Sequence, residues 1–145
     1  MSSGNKSLVQ TVGPLVGAFY VVIGVVGFFI TGFTNFVQYT DDKLLGFHIN
    51  PFHNFVHLAI GAFLIIMSMN KNKAVGEGAV MGVGLFYIVA FVIGVYSNDN
   101  LTIIGMKGAG DLENFNHIVF GVLLLTVGLL SSGQTQASMK RQGLA

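Results

Sequence analysis

The side chains best able to do chemistry in this chain fall in two short stretches, Asn50-Pro51-Phe52-His53-Asn54-Phe55-Val56-His57 and Glu113-Asn114-Phe115-Asn116-His117. Residues three and four apart share one face of a helix. Asn50, His53, Asn54 and His57 therefore form one polar stripe, and Glu113, Asn114 and His117 form another. Three chemistries suit such stripes. In the first, Asn54, His57, Asn114 and His117 make a neutral hydrogen-bonded cluster with one another and with helix-end backbone groups. Such bonds fix helix register at about 1 kcal/mol each. In the second, His53, His57, Glu113 and His117 supply nitrogen and oxygen ligands for zinc, iron or manganese, or His57 and His117 alone hold a haem axially. In the third, His53, His57 and His117 relay protons or pass a small solute, because imidazole titrates near neutral pH.

The structural reading leads, since polar groups inside a membrane usually face the bundle interior and pair there. It calls for no cofactor. Transport is opposed by the segments that follow the histidines, which are apolar as far as Ser68 and Thr126. Catalysis is not expected either: the chain has no cysteine, and no serine sits in a nucleophile motif beside these histidines. The lack of thiolates leaves nitrogen and oxygen as the ligands for any metal.

The elements that position these groups are membrane helices. Apolar residues make up 52% of the chain and charged ones 9%, with a mean hydropathy of +0.72, which is far from a soluble domain. A length of 145 residues holds about four spans of roughly 20 residues each. The uncharged runs place them at 12–31, with Pro14 in the first turn, and at 51–69, 78–97 and 112–130. The second opens on Asn50 as N-cap and Pro51 at the first helical position, both favoured there. Glycines four apart, Gly13 with Gly17 and Gly78 with Gly82, have the spacing that lets membrane helices approach closely. The first run is too long for the core of a signal peptide. A net charge of +1 with scattered Lys and Arg gives no footprint for nucleic acid.

The chain also repeats itself. Asn54, His57 and Gly61 recur as Asn114, His117 and Gly121; Gly17 to Val22 matches Gly84 to Val89; Leu44 to Phe47 matches Ile103 to Met106. The fold expected is an all-α integral membrane four-helix bundle, built from two helical hairpins at about 12–69 and 78–130. An even number of spans per copy makes these parallel repeats, related by a pseudo-twofold axis along the membrane normal. Lys6, Lys71, Lys73, Lys140 and Arg141 flank one side with Glu77 as its acid. Lys43 and Lys107 share the other with Asp41, Asp42, Asp99, Asp111 and Glu113. The bias of Lys and Arg puts both termini in the cytoplasm and the polar cluster near the outer face.

The string Ile49-Asn50-Pro51-Phe52-His53-Asn54-Phe55-Val56-His57-Leu58-Ala59-Ile60-Gly61, preceded by Leu44 to Phe47 and followed by a second Asn-Phe-Asn-His-Ile-Val-Phe-Gly at 114–121, resembles the bacterial four-helix membrane proteins grouped as domain of unknown function 4383. The resemblance spans about Val12 to Leu130 and is carried by Asn50, Pro51, His53, Asn54, His57, Asn114 and His117. It implies a multi-pass protein of the bacterial cytoplasmic membrane and brings no activity, substrate or catalytic residue. The expected role is a structural or accessory membrane component. Its surroundings would be the lipid bilayer, with further copies of the chain or a larger membrane complex as partners.

Overall fold

The computed structural model describes residues 6–96, 102–106 and 108–144. The expected end of the third span at Ser97, together with Asp99 and Lys107 of the loop that follows, lies outside them. Four helices carry the fold: α1 (Leu8–Thr31), α2 (Pro51–Ser68), α3 (Lys73–Tyr96) and α4 (Leu112–Arg141). All four are long and apolar enough to cross a bilayer. The chain is thus that of a multi-pass membrane protein. Many large apolar side chains point outward, including Phe29 at 86% exposure and Leu15, Ile66 and Phe115, as a lipid-facing surface requires.

Local chemistry sets the helix ends, and it moves several of them from where hydrophobic runs placed them. α1 begins at Leu8 rather than Val12 because Ser7 and Gln10 form a capping box: Gln10 N donates to Ser7 Oγ at 3.3 Å and Ser7 N to Gln10 Oε1 at 3.0 Å. Pro14 consequently lies in the second turn rather than the first, where its ring removes a backbone donor. α2 starts on Pro51 as expected, with Asn50 Oδ1 accepting from His53 N at 2.8 Å. α3 begins five residues before the expected Gly78, since Asn72 Oδ1 accepts from Ala74 N at 3.1 Å and caps the new first turn. α4 runs to Arg141, well past the expected Leu130, and ends with Lys140 and Arg141 in its last turn, where cations complement the helix dipole.

One element is not helical. β1 (Lys43–Leu44) and β2 (Phe47–His48) pair antiparallel, with Lys43 opposite His48 and Leu44 opposite Phe47. The two-residue turn has φ of 55° at Leu45 and 91° at Gly46, the signs a type I′ hairpin needs. The hairpin packs through β1 against α1 and through β2 against α4.

α1 packs along α2, and α3 along α4, far more extensively than the two pairs pack on each other. Glycine makes these approaches close. A Cβ at Gly17 would meet Gly61 O at 2.6 Å, and one at Gly84 would meet Leu125 N at 2.6 Å and Gly121 O at 2.9 Å. Of the two spaced glycine pairs, Gly13 and Gly17 face α2, whereas Gly78 and Gly82 have nothing within 4 Å of an added Cβ and do not mediate a helix contact. The core between the pairs holds Val9, Tyr20, Leu64, Val80, Val83, Tyr87, Leu124 and Val127.

Candidate functional site

The first turns of α2 and α4 bring both polar stripes inward. Asn50, His53, Asn54, His57, Glu113, Asn114 and His117 are all buried, with no more than 5% of any of them exposed. The side chains divide into two groups with different chemistry.

The asparagines are largely satisfied. Asn50 caps α2 and also donates through Nδ2 to Gln38 O at 3.0 Å and Ile103 O at 3.2 Å, so it joins the α1–α2 loop to the α3–α4 loop. Asn54 Nδ2 donates to Thr31 Oγ1 at 2.9 Å, and Asn114 Nδ2 to Gly108 O at 2.8 Å and Ala109 O at 3.3 Å. Each of the last two lies against a glycine: a side chain at Gly27 would collide with Asn54, and one at Gly94 with Asn114. The asparagines thus bond to backbone and hydroxyl groups near the helix ends.

The histidines differ. His53 Nδ1, His57 Nδ1 and His117 Nδ1 are buried and have no hydrogen-bond partner among the described residues, and neither have Glu113 Oε2, Asn54 Oδ1 and Asn114 Oδ1. His117 Nε2 and Glu113 Oε2 are 3.9 Å apart, too far for a hydrogen bond. Uncompensated burial of groups this polar costs on the order of 1–3 kcal/mol each.

Of the predicted ligand set, His53, Glu113 and His117 come together: each offers a ligating atom, and these atoms lie within 4.8 Å of one another. His57, one turn deeper on α2, is not in that group. Its ring rests against His53, with centroids 4.4 Å apart, and against Tyr20 at 5.2 Å. Tyr20 stacks on Tyr87 at 5.7 Å, and Tyr87 contacts His117 at 5.4 Å. The two tyrosine hydroxyls also lack partners among the described residues.

The cavity that reaches His57 and Glu113 measures about 60 Å³ and is otherwise walled mainly by apolar side chains such as Ile23, Phe47, Ile49 and Phe120. That volume suits an ion or a few waters, well under the several hundred Å³ of a cofactor pocket. With Tyr20 and Tyr87 stacked in the core, a porphyrin bridging His57 and His117 does not fit.

Two polar contacts escape a reading of the sequence alone. Glu77, which looks like a flanking charge, is buried in the bundle, and its Oε1 accepts from Ser131 Oγ at 3.0 Å and Thr135 Oγ1 at 2.7 Å. This contact joins the first turns of α3 to the extension of α4. The signal lies in Ser131 and Thr135, four apart and therefore on one helix face. At the other end, His48 Nδ1 of the hairpin lies 3.3 Å from Asp111 Oδ2, while Asp111 Oδ1 caps α4 by accepting from Glu113 N at 3.1 Å. The hairpin is thereby tied to the helix that bears Glu113 and His117.

No curated protein and no solved structure matches the chain. Residues 10–130 match the family described as domain of unknown function (DUF4383), over the whole stretch that carries the resemblance, and the chain belongs to that family.

Proposed function

We propose that this protein is an accessory component of a bacterial cytoplasmic membrane whose two hairpins, related by a twofold axis along the membrane normal, bury a cluster of polar side chains near the outer face, a chamber that binds a small ligand. The carrying observation is the set of buried imidazole and carboxylate atoms at the heads of α2 and α4 that have no partner among the described residues. A cluster whose only task was to bond helices together would satisfy its own members.

Matched contacts support the twofold relation: Gly17 against Gly61 and Gly84 against Gly121, Gly27 against Asn54 and Gly94 against Asn114, Tyr20 on His57 and Tyr87 on His117. A binding role is favoured over a conduit because Leu64, Val80, Leu124 and Val127 fill the core beyond the tyrosines, and among the described residues buried polar side chains return only at Ser68, Glu77 and Ser131. Lys and Arg gather at the end that carries Glu77, which supports cytoplasmic termini.

Two measurements test the proposal. Native mass spectrometry of the full chain released from mild detergent is expected to show a noncovalent adduct that is lost on unfolding, and a chain that flies bare would remove the binding role. For orientation, cysteines replacing Gly110 and Ser138, both exposed, should differ in intact cells. Gly110→Cys is expected to react with an impermeant thiol reagent and Ser138→Cys to be protected. The reverse pattern would invert the topology.

A further inference from the structure

We propose that the ligand of this chamber is a divalent transition-metal ion, held by one imidazole nitrogen from each of His53 and His117 and by a carboxylate oxygen of Glu113. The inference rests on the chamber reading and names what the chamber binds. Its basis is convergence across two helices that are distant in sequence. α2 supplies one ligand and α4 supplies two at i and i+4, and the ligating atoms lie within 4.8 Å of one another. Ligands at about 2.0–2.2 Å from one ion sit about 3.3 Å apart at a tetrahedral angle, so the three atoms close in by roughly an ångström around it. Rotation about side-chain bonds covers that distance without moving the helices.

Burial makes the assignment physical rather than only geometric. His53, Glu113 and His117 are each at least nine-tenths buried, and His53 Nδ1, His117 Nδ1 and Glu113 Oε2 have no partner among the described residues. A cation adds a partner shared by all three residues and compensates the carboxylate charge, which the low-dielectric interior otherwise penalises. Two imidazoles and a carboxylate select against calcium and magnesium, which take oxygen ligands, and favour zinc, ferrous iron or a neighbouring first-row ion. With three protein ligands the ion keeps at least one position open, as metal centres that bind an exogenous ligand do.

The ligand set differs from the four-residue set that the sequence suggests, and the difference can be measured. His57 packs on His53 and Tyr20 and stands outside the group. The test strips the detergent-solubilised full chain with a chelator and titrates it with Co(II), whose visible absorption bands report its coordination. The expected result is saturation near one Co(II) per chain, as a single site implies. His53→Gln, Glu113→Gln and His117→Gln should each weaken binding at least tenfold, and His57→Gln should weaken it less than any of these three. Glutamine preserves volume and polarity, and Glu113→His, which restores a ligating atom, is expected to recover binding and to guard against a loss that reflects misfolding. Absence of Co(II) bands, equal binding by all the Gln variants, or a loss in His57→Gln as large as that in His117→Gln would overturn the assignment. The adduct seen in native mass spectrometry separates the two levels. An adduct that survives chelation and contains no metal overturns the metal and leaves the chamber, whereas a bare chain overturns both.

Discussion

Valine in place of Gly61 is expected to destabilise the folded bundle by about 3 kcal/mol or more, at the upper end of what overpacking a tight interface costs. A Cβ there would meet Gly17 O at 2.6 Å and Val21 N at 2.9 Å. These are backbone atoms, so no rotamer change relieves the clash and the helices must separate. Separation also pulls Asn54 off Gly27 and His57 off Tyr20, and the damage therefore reaches the chamber. Gly121 is the counterpart in the other pair with slightly more room, since its Cβ would meet Ile88 N at 3.0 Å and Gly84 O at 3.1 Å, and its nearest neighbour is a side-chain atom, Ile88 Cγ1 at 2.8 Å. Alanine should thus cost more at Gly61 than at Gly121. At Gly78 and Gly82, where nothing lies within 4 Å, alanine should cost close to nothing. Thermal unfolding in detergent measures the series, and equal losses at Gly61 and Gly78 would show that the close crossing does not hold α1 to α2.

How much of this is legible in the sequence depends on how local each cause is. The start of α2 is legible because Asn50 and Pro51 are themselves the cap, and the repeat of Asn54, His57 and Gly61 as Asn114, His117 and Gly121 points to the residues that turn inward. The 131–141 stretch has no apolar run to announce a helix. It is helical in part because Ser131 and Thr135 reach Glu77, which lies more than fifty residues earlier in the chain. Glu77 in turn reads as a surface charge until α3 is seen to start at Lys73 and carry it inside. The hairpin turn hides for another reason: Leu45 adopts a positive φ that Asn or Asp would normally signal.

The ligand set shows the limit of helical periodicity. Steps of three and four put both His53 and His57 on the inner face of α2, and both are indeed buried. Which of them meets α4's Glu113 and His117 depends on the relative height of the two helices, and that height follows from packing between helices rather than from spacing within one.

Asn50→Ala is expected to cost roughly 3 kcal/mol, combining about 1 kcal/mol for a lost N-cap with about 1–3 kcal/mol for buried acceptors left without a donor. Asn50 is fully buried and does several jobs at once. Its Oδ1 accepts from His53 N at 2.8 Å, and its Nδ2 holds Gln38 O at 3.0 Å and Ile103 O at 3.2 Å. Alanine removes the cap and the bridge together. Asn50→Asp separates them, because a carboxylate still caps the helix and suits its N-terminus but has no hydrogen to give the carbonyls. Hydrogen exchange reads the two contributions by segment. The loops around Gln38 and Ile103 should lose protection in both variants, while the first turn of α2, which carries His53, should lose it in Asn50→Ala alone. With His53 as the proposed α2 ligand, Co(II) affinity should fall further in Asn50→Ala than in Asn50→Asp. If the two variants exchange alike throughout, Asn50 acts only as a bridge between loops, and the cap contributes nothing to holding His53 in the chamber.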